Sequence, residues 1–180
     1  MDDKRKRLLE LVKESALSIG EITLSSGKKS SYYIDCRRIT LDPEGAYLVA
    51  KILLDMFHGK GIDAVGGLTL GADPILGALA AVSFLEGNPI PTFIVRKTSK
   101  KHGTRNAIEG RLKEGSRVAV VDDVATTGNS LMQVIDTVEK MDCEVRKVVV
   151  IVDREEGAKK TMARRGYRME SVFSRRELGV

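Results

Sequence analysis

Two adjacent carboxylates followed by small polar residues form the most distinctive segment of this 180-residue sequence. Asp122 and Asp123 come directly after the apolar run Val118–Val121, which predicts a buried strand. A helix entrance, predicted here near Ser130, presents unpaired backbone N–H groups and the positive end of the helix dipole, so it favours a phosphate. Carboxylates repel a phosphate but can accept hydrogen bonds from the hydroxyl groups of an attached sugar. The segment therefore predicts a site for a ribose 5-phosphate.

The predicted ribose-phosphate site has a simpler structural alternative. A pair of aspartates can end a strand, and a Thr-Thr-Gly-Asn run can cap a helix without binding a ligand. The complete order favours the ligand site, because Gly128 permits a close approach or a positive φ and the hydroxyl groups donate to phosphate oxygens. The segment is neither a Walker loop, since the Gly-Lys-Ser/Thr ending is missing, nor a Gly-x-Gly-x-x-Gly dinucleotide turn. The candidate binding residues are Asp122, Asp123, Val124, Ala125, Thr126, Thr127, Gly128, Asn129 and Ser130.

A basic segment at 97–110 follows a predicted strand and contains almost nothing that could enter a core. Loops longer than about 12–15 residues are uncommon unless they are functional or disordered. A hairpin that binds nucleic acid and a plain solvated loop are the two alternatives. Beside a ribose-phosphate site, however, a cationic loop would stabilise a departing diphosphate and exclude water.

Both segments resemble motifs of the type I phosphoribosyltransferases. The run Val118–Ser130 is similar to the motif that binds 5-phosphoribosyl 1-pyrophosphate (PRPP), and Arg-Lys-x-x-Lys-x-His-Gly at 96–103 is similar to the catalytic loop of orotate phosphoribosyltransferases. The resemblance implies that Lys100 is the leading catalytic residue and that Asp122 and Asp123 position the ribose. An ordinary surface histidine is the alternative interpretation of His102, and the Lys-x-His-Gly context disfavours that alternative. The diphosphate-binding residues implied are Arg96, Lys97, Lys100, Lys101 and His102.

Three further segments bear on the base that accepts the ribose. Ile22–Arg37 resembles the amino-terminal signature of orotate phosphoribosyltransferases, which forms part of a hood over the base, and Val65–Ile75 resembles their pyrophosphate loop. Arg154, just past a predicted strand, resembles the residue that binds the orotate carboxylate, a group that a guanidinium can match with two parallel hydrogen bonds. By the same resemblance, Thr126 is expected to touch the base.

Three positions depart from the family pattern. Many relatives carry lysine at the position of Ser25, another basic residue near Leu70, and proline in place of Ser31. Fewer fixed lysines near the diphosphate would place more weight on Mg²⁺, Lys100 and Lys101. The expected cofactor, Mg²⁺, is held mainly by diphosphate and ribose oxygens, and no protein residue is assigned as a metal ligand.

The reaction implied by the resemblance is the transfer of the 5-phosphoribosyl group from PRPP to orotate, giving orotidine 5′-monophosphate and pyrophosphate. One alternative is a phosphoribosyltransferase for a purine or uracil. For Arg154 itself, the alternative is a surface ion pair with Asp153 or Glu155. The other alternative function is a regulator that senses nucleotides and binds nucleic acid. About twenty residues precede the hood signature, which are too few for a winged helix, and the intact Lys-x-His loop favours catalysis.

The elements that must position these residues alternate along the chain. Apolar strands that alternate with amphipathic helices predict right-handed crossovers and a parallel sheet covered on both faces, with ligands beyond the carboxyl ends of its strands. The expected fold is α/β, a type I phosphoribosyltransferase fold with a Rossmann-like parallel sheet flanked by helices. It forms one domain over 1–180, with a hood mainly from 20–40 to which the C-terminal strand could add. Strands are predicted at Glu21–Leu24, Tyr32–Cys36, Ala64–Gly66, Thr92–Val95, Arg117–Val121, Val145–Val152 and Tyr167–Phe173, and helices at 3–18, Pro43–Phe57, Ala72–Leu85, Ser130–Met141 and Glu155–Arg165.

Composition and charge narrow the possible partners. Hydrophobic residues at 42% and charged residues at 31% predict an ordered globular protein, and the net charge of +5 fits an anionic partner. Aromatic residues make up only 4%, which disfavours a stacking platform for single-stranded nucleic acid. No apolar run is long enough to cross a bilayer, and Cys36 and Cys143 are far apart, so we expect a cytoplasmic protein without nucleic acid or membrane as partner. The family resemblance further implies a homodimer whose basic loop reaches into the neighbouring subunit's site.

Overall fold

The computed structural model describes residues 2–23, 29–97 and 107–180, and arranges them as a six-stranded sheet, a two-stranded hairpin and flanking helices. The strands are β1 (Leu17–Thr23), β2 (Lys29–Ile34), β3 (Ala64–Leu68), β4 (Thr92–Val95), β5 (Ile108–Gly110), β6 (Arg117–Ala125), β7 (Glu144–Asp153) and β8 (Met169–Ser174). The helices are α1 (Asp3–Leu11), α2 (Arg37–Thr40), α3 (Pro43–Phe57), α4 (Asp73–Leu85), α5 (Asn129–Glu139), α6 (Ala158–Arg164) and α7 (Arg175–Leu178). A π-helical turn at Val12–Ala16 joins α1 to β1.

The large sheet has the strand order β5-β4-β3-β6-β7-β8. The five strands β4, β3, β6, β7 and β8 are each parallel to their neighbours in this order, and β5 pairs antiparallel with β4 at one edge. Side chains of β6 alternate between two cores, so that Ala119 and Val121 pack on the side of α3 and α4 whereas Val118 and Val120 pack on the side of α5 and α6. Because both faces are covered, β6 is apolar at successive positions. The predicted α/β fold with a mostly parallel sheet is confirmed.

The glycines of β3 allow the centre of this sheet to pack closely. A methyl group on Gly66 would lie 2.1 Å from the ring of Phe93, and one on Gly67 would lie 2.3 Å from the Cβ of Ala72. Neither distance is compatible with a side chain, so β3 can occupy this position only with glycine at both places. The two glycines thereby set where the loop after β3 begins.

Several element boundaries differ from the sequence prediction. The predicted helix over 3–18 is wrong at its end, because Leu17 already pairs with Ile34 in the hairpin. Asp122 and Asp123 lie inside β6 and not beyond it, because β7 continues alongside and pairs with β6 up to Ala125. The three-residue strand β5 and the four-residue helices α2 and α7 are too short to give a periodic signal, and the sequence does not predict them.

The C-terminal strand β8 pairs with β7 at the edge of the large sheet, and not with the hairpin. The hairpin consists of β1 and β2, within 17–34, in the region expected for the hood. No helix in the described part of the chain is both long enough and apolar enough to span a membrane.

Candidate active site

The carboxyl ends of β3, β6 and β7 meet at one edge of the large sheet. Gly67 of β3 is paired with Val121 of β6, and Ala125 of β6 is paired with Asp153 of β7. The loops that follow these three strands therefore leave from the same edge, which is where ligands bind in parallel α/β sheets.

The two carboxylates of β6 lie at the centre of this edge. Asp122 is only 7% exposed, and its Oδ1 accepts a hydrogen bond from the Asp123 N–H at 3.0 Å. Asp123 Oδ1 accepts one from the Val124 N–H at 2.8 Å. Burial, together with the neighbouring charge of Asp123, raises the pKa of Asp122 well above its ordinary value. An acid with a raised pKa beside a second acid costs folding free energy, and this arrangement is typical of functional sites.

The loop after β3 approaches both carboxylates through its backbone. A methyl group on Gly71 would lie 2.5 Å from Asp123 Oδ1 and 3.0 Å from Asp122 Oδ1. The absence of a side chain at Gly71 therefore keeps space open beside the acids. The segment Val65–Ile75, predicted to be a pyrophosphate loop, is thus next to the carboxylate pair in the fold.

The loop between β6 and α5 forms a small cavity at the start of the helix. Gly128, the N-cap residue of α5, has a φ of +87°, a left-handed conformation that glycine adopts without strain. No side chain of the described residues caps this helix, so its first backbone N–H groups remain available to a ligand. The cavity has a volume of about 140 Å³ and is lined by residues 124–131 and Asp122. All the candidate residues of this segment except Asp123 therefore line one cavity.

Arg154 begins the loop after β7 and is 9% exposed. Its guanidinium carbon lies 4.9 Å from the centre of the Tyr32 ring, and its Nε donates a hydrogen bond to the Tyr32 hydroxyl at 3.3 Å. Its Nη2 forms an ion pair with Glu156 Oε1 at 2.8 Å. Arg154 is thus a largely buried cation that contacts the hairpin.

The surface ion pairs considered for Arg154 are not the ones that form. Asp153 pairs with Lys159 at 3.1 Å, and Glu155 pairs with the two arginines of α7. The Asp153 carboxylate is almost fully buried, and its Oδ1 accepts a hydrogen bond from the Glu155 N–H at 2.9 Å, which fixes the turn that follows β7. That turn determines where Arg154 leaves the strand.

Two backbone hydrogen bonds join the loop that carries Arg154 to the loop that carries Thr126. The Arg154 N–H donates to the Ala125 carbonyl at 2.9 Å, and the Ala158 N–H donates to the Thr126 carbonyl at 3.1 Å. Thr126 and Arg154, the two residues predicted to contact the base, are therefore brought together.

The start of the basic segment is held against α5. Gln133 Nε2 donates to the carbonyl oxygens of Arg96 at 3.2 Å and Lys97 at 3.0 Å, and the Arg96 side chain forms an ion pair with Glu109. Burial is the main cause of the raised pKa of Asp122, and the positive charge of Lys97 lowers this pKa. Lys97 therefore lies within electrostatic range of the carboxylates. The predicted diphosphate-binding residues Lys100, Lys101 and His102, and the divergent position Ser25, lie outside the described residues.

Four residues that support the site are not singled out by the sequence. Tyr32 lies within the amino-terminal signature and Gly71 within the small-residue loop, so both occur in segments that the sequence does identify. The sequence offers one possible signal for Glu156, namely its position two residues after Arg154. Gln133 has none, because within the described part of the chain its side chain hydrogen-bonds only backbone carbonyls.

Comparison with known proteins identifies the family of the chain. Residues 40–169 match the phosphoribosyl transferase domain family. An orotate phosphoribosyltransferase from Aquifex aeolicus (strain VF5) is 44% identical, and the match covers 97% of each chain. Two crystal structures of Mycobacterium tuberculosis H37Rv orotate phosphoribosyltransferase match 98% of this chain and 99% of their own. The complex with Fe(III) dicitrate has a TM-score of 0.88 at 39% identity, and the PRPP complex has 0.83 at 37%. With these matches over nearly its whole length, the chain belongs to the orotate phosphoribosyltransferase family.

Proposed function

We propose that this protein transfers the 5-phosphoribosyl group of PRPP to orotate, giving orotidine 5′-monophosphate and pyrophosphate. The observation that supports the proposal most strongly is that three features share one sheet edge: the cavity at the start of α5, the Asp122–Asp123 pair and the buried guanidinium of Arg154. The first two suit the phosphate and the ribose of the donor. The third suits the carboxylate that distinguishes orotate from uracil, so a common edge would hold donor and acceptor side by side.

The donor binds along β6 and the loop that follows it. Its 5′-phosphate accepts hydrogen bonds from the free backbone N–H groups of α5 and from the hydroxyl groups of Thr126, Thr127 and Ser130. Asp122 and Asp123 accept hydrogen bonds from the 2′- and 3′-hydroxyl groups of the ribose. Because these donors favour the charged carboxylate, binding of the ribose lowers the pKa of Asp122.

The acceptor is held by Arg154, with Thr126 beside it. A ring N–H nitrogen of orotate attacks the anomeric carbon as the C–O bond to pyrophosphate breaks, through an oxocarbenium-like state, and its proton passes to the departing diphosphate. Positive charge develops on the sugar and negative charge on the diphosphate. Arg96, Lys97 and the cations at 100–102 bind the diphosphate and stabilise its charge as it leaves. No protein nucleophile takes part.

Membership of the family supports a role for a divalent cation, and the cation that we propose is Mg²⁺. This ion usually binds substrate phosphate oxygens together with few protein carboxylates, so diphosphate and ribose oxygens would be its main ligands. The described residues contain no group of three or more His, Cys, Asp or Glu side chains that could hold a metal. The Asp122–Asp123 pair fits such an ion, because a cation bound to the ribose oxygens would relieve the repulsion between the two carboxylates. When bound, the ion neutralises charge on the leaving diphosphate.

The test of the proposal is an assay with PRPP, Mg²⁺ and one base at a time, followed by chromatography of the products. Orotate should be converted to orotidine 5′-monophosphate, and uracil, adenine and guanine should remain unchanged. Turnover of another base without turnover of orotate would contradict the proposed acceptor. Failure with every base, combined with salt-sensitive binding of nucleic acid, would instead favour a regulator.

A Gly71→Ala variant is expected to raise the KM for PRPP about tenfold, because the added methyl group would push the carboxylates away from the ribose hydroxyl groups. Steady-state kinetics with orotate at saturation measures this change. Gly77→Ala is the matched control, since a methyl group there meets nothing within 4 Å and the KM should not change. Equal KM values for both variants would show that Gly71 does not border the donor site.

A Lys100→Ala variant is expected to lower kcat about 10- to 100-fold, because a cation that stabilises the leaving diphosphate is lost. The KM for orotate should change little, since Arg154 is untouched. Lys140→Ala, at the end of α5, serves as the control for removing a lysine from elsewhere in the chain. If Lys100→Ala turned over at the wild-type rate, the loop would have no catalytic role.

We also propose a homodimer in which the basic loop of one subunit serves the site of the other. Exposed apolar side chains on and near α3 and α4, including Leu41, Tyr47, Phe84 and Leu85, support a contact between copies. Mixing the impaired Lys100→Ala and Arg154→Leu subunits tests the shared site, because a mixed dimer would contain one site with both native residues. Activity should return on mixing. Mixed dimers without activity would show that each loop serves its own subunit.

The proposed location of the enzyme is the cytoplasm. Cys36 and Cys143 are both buried free thiols, which agrees with a reducing compartment. Burial also raises the pKa of the Cys36 thiol, so the thiol stays neutral in the vicinity of the carboxylate pair. Fractionation of cells that produce the tagged protein would test this location.

A further inference from the structure

We propose that Tyr32 is a specificity-determining positioning residue, which fixes the guanidinium of Arg154 in the orientation that recognises the carboxylate of the acceptor. The proposal rests on the proposed role of Arg154 as the carboxylate binder. Tyr32 belongs to β2 of the hairpin and is 122 residues from Arg154 in the sequence. The hairpin, and not the sheet alone, would therefore determine how the arginine is presented.

Tyr32 contacts Arg154 in two different ways. The guanidinium carbon lies 4.9 Å from the centre of the aromatic ring, within the range of a cation–π interaction. The Nε of Arg154 also donates a hydrogen bond to the Tyr32 hydroxyl at 3.3 Å. Both residues are buried, Tyr32 at 5% and Arg154 at 9% exposure. Polar contacts in such a site are stronger than the same contacts at the surface.

Glu156 completes a closed network with these two residues. The Tyr32 hydroxyl donates to Glu156 Oε1 at 3.4 Å, and the same oxygen forms the ion pair with Arg154 Nη2 at 2.8 Å. The hydroxyl therefore accepts from the arginine and donates to the glutamate, which fixes its own direction. The contacts use the Nε and Nη2 edge of the guanidinium, and no residue in the described ranges bonds Nη1. The end of the guanidinium that includes Nη1 can still bind a carboxylate through two parallel N–H groups.

Fixing the arginine before the acceptor arrives increases affinity. A free arginine side chain has many rotamers, and ordering them on binding would weaken the interaction with the acceptor. In this protein the ring of Tyr32 sets the plane of the guanidinium, and its hydroxyl sets the rotation within that plane. The two contacts can be removed one after the other, because phenylalanine keeps the ring and loses the hydroxyl, whereas leucine loses both.

Steady-state kinetics of Tyr32→Phe and Tyr32→Leu test the inference. Tyr32→Phe should raise the KM for orotate about tenfold through the lost hydrogen bond, and Tyr32→Leu should raise it about fivefold further through the lost cation–π contact. The KM for PRPP should stay near the wild-type value in both variants, and the Tm of Tyr32→Phe should do the same because phenylalanine keeps the buried ring. Tyr167→Phe is the matched control, because its hydroxyl bonds Glu139 and no residue of the site. A purely structural role of Tyr32 would change the Tm and the PRPP KM as well, and that result would overturn the inference.

A double-mutant cycle separates this inference from the proposed role of Arg154. If Tyr32 acts through Arg154, the Tyr32→Phe change should have no further effect on orotate kinetics in the Arg154→Leu background. The same fold-loss in both backgrounds would show that Tyr32 acts independently and would overturn the inference. If Arg154→Leu alone left orotate kinetics unchanged, the assignment of Arg154 itself would fail, whatever Tyr32 does.

Discussion

An Arg154→Leu variant is expected to lose about 10²- to 10⁴-fold in kcat/KM for orotate, because two charge-assisted hydrogen bonds contribute about 1.5–3 kcal/mol each and 1.4 kcal/mol corresponds to a factor of ten. The KM for PRPP should change little, because the phosphate loop and the carboxylate pair are untouched. Leucine keeps an apolar side chain in the buried position, and Glu156 stays solvated because 39% of its side chain is exposed. The loss should therefore arise from acceptor binding and not from unfolding.

Initial rates with each substrate varied in turn measure the effect of Arg154→Leu. Arg154→Lys should be intermediate, because an ammonium group keeps the charge but cannot form two parallel hydrogen bonds with a carboxylate. Arg146→Leu is the control, since Arg146 lies near the amino end of β7, the strand that Arg154 follows, and pairs with Glu144. Unchanged orotate kinetics in Arg154→Leu, or an equal loss in Arg146→Leu, would contradict the assignment.

The sequence predicts those elements whose ends carry local signals. Pro43 lies in the first turn of α3, and the Asp42 side chain accepts a hydrogen bond from the Gly45 N–H at 2.9 Å, so the predicted bounds of this helix are confirmed. The first helix has no comparable stop signal before Leu17. Apolar residues at helical spacing predict helix there, whereas the pairing of Leu17 with Ile34 makes it strand. A contact between distant residues decides that boundary, and local sequence does not contain it.

The candidate site likewise contains residues that local sequence identifies and contacts that only the fold brings about. The carboxylate pair and the phosphate loop are contiguous, so their residue types and order identify them without knowledge of the fold. The contact between Tyr32 and Arg154 depends on how the hairpin lies against the end of β7, and no spacing in the sequence encodes it. The same holds for Gly71, whose closeness to Asp123 becomes visible only when the loop after β3 is placed beside β6. The segment proposed to bind the donor is therefore predictable from sequence, whereas the position of Gly71 beside it and the orientation of the arginine proposed to bind the acceptor are not.

The double variant Asp122→Asn/Asp123→Asn is expected to lose about 10²- to 10⁴-fold in kcat/KM for PRPP while its ligand-free form becomes more stable. The loss follows from two charge-assisted hydrogen bonds to the ribose at about 1.5–3 kcal/mol each. The gain follows from removing a buried acid whose ionisation is disfavoured by burial and by the neighbouring charge, and each kcal/mol gained raises the Tm by about 2–4 °C at this chain length. Asparagine keeps the carbonyl oxygens that accept from the backbone N–H groups of Asp123 and Val124, so the local fold should be retained.

The pH dependence of this stability gain identifies its cause. Burial, with the neighbouring charge of Asp123, raises the pKa of Asp122 in the folded state above its ordinary value of 3.8. The folded protein therefore binds this proton more tightly than the unfolded chain does, and the wild-type free energy of unfolding falls as the pH rises from 3.8 through the raised pKa. The variant lacks this titration, so its advantage in Tm should be smallest in acid and grow toward neutral and alkaline pH. Asp136→Asn is the control, because it removes an acid of α5 that pairs with Arg165 and lies outside the carboxylate pair, and it should bring no gain in Tm. If the gain in Tm were the same at every pH, ionisation of the carboxylate pair would not be what lowers the stability of the wild-type protein.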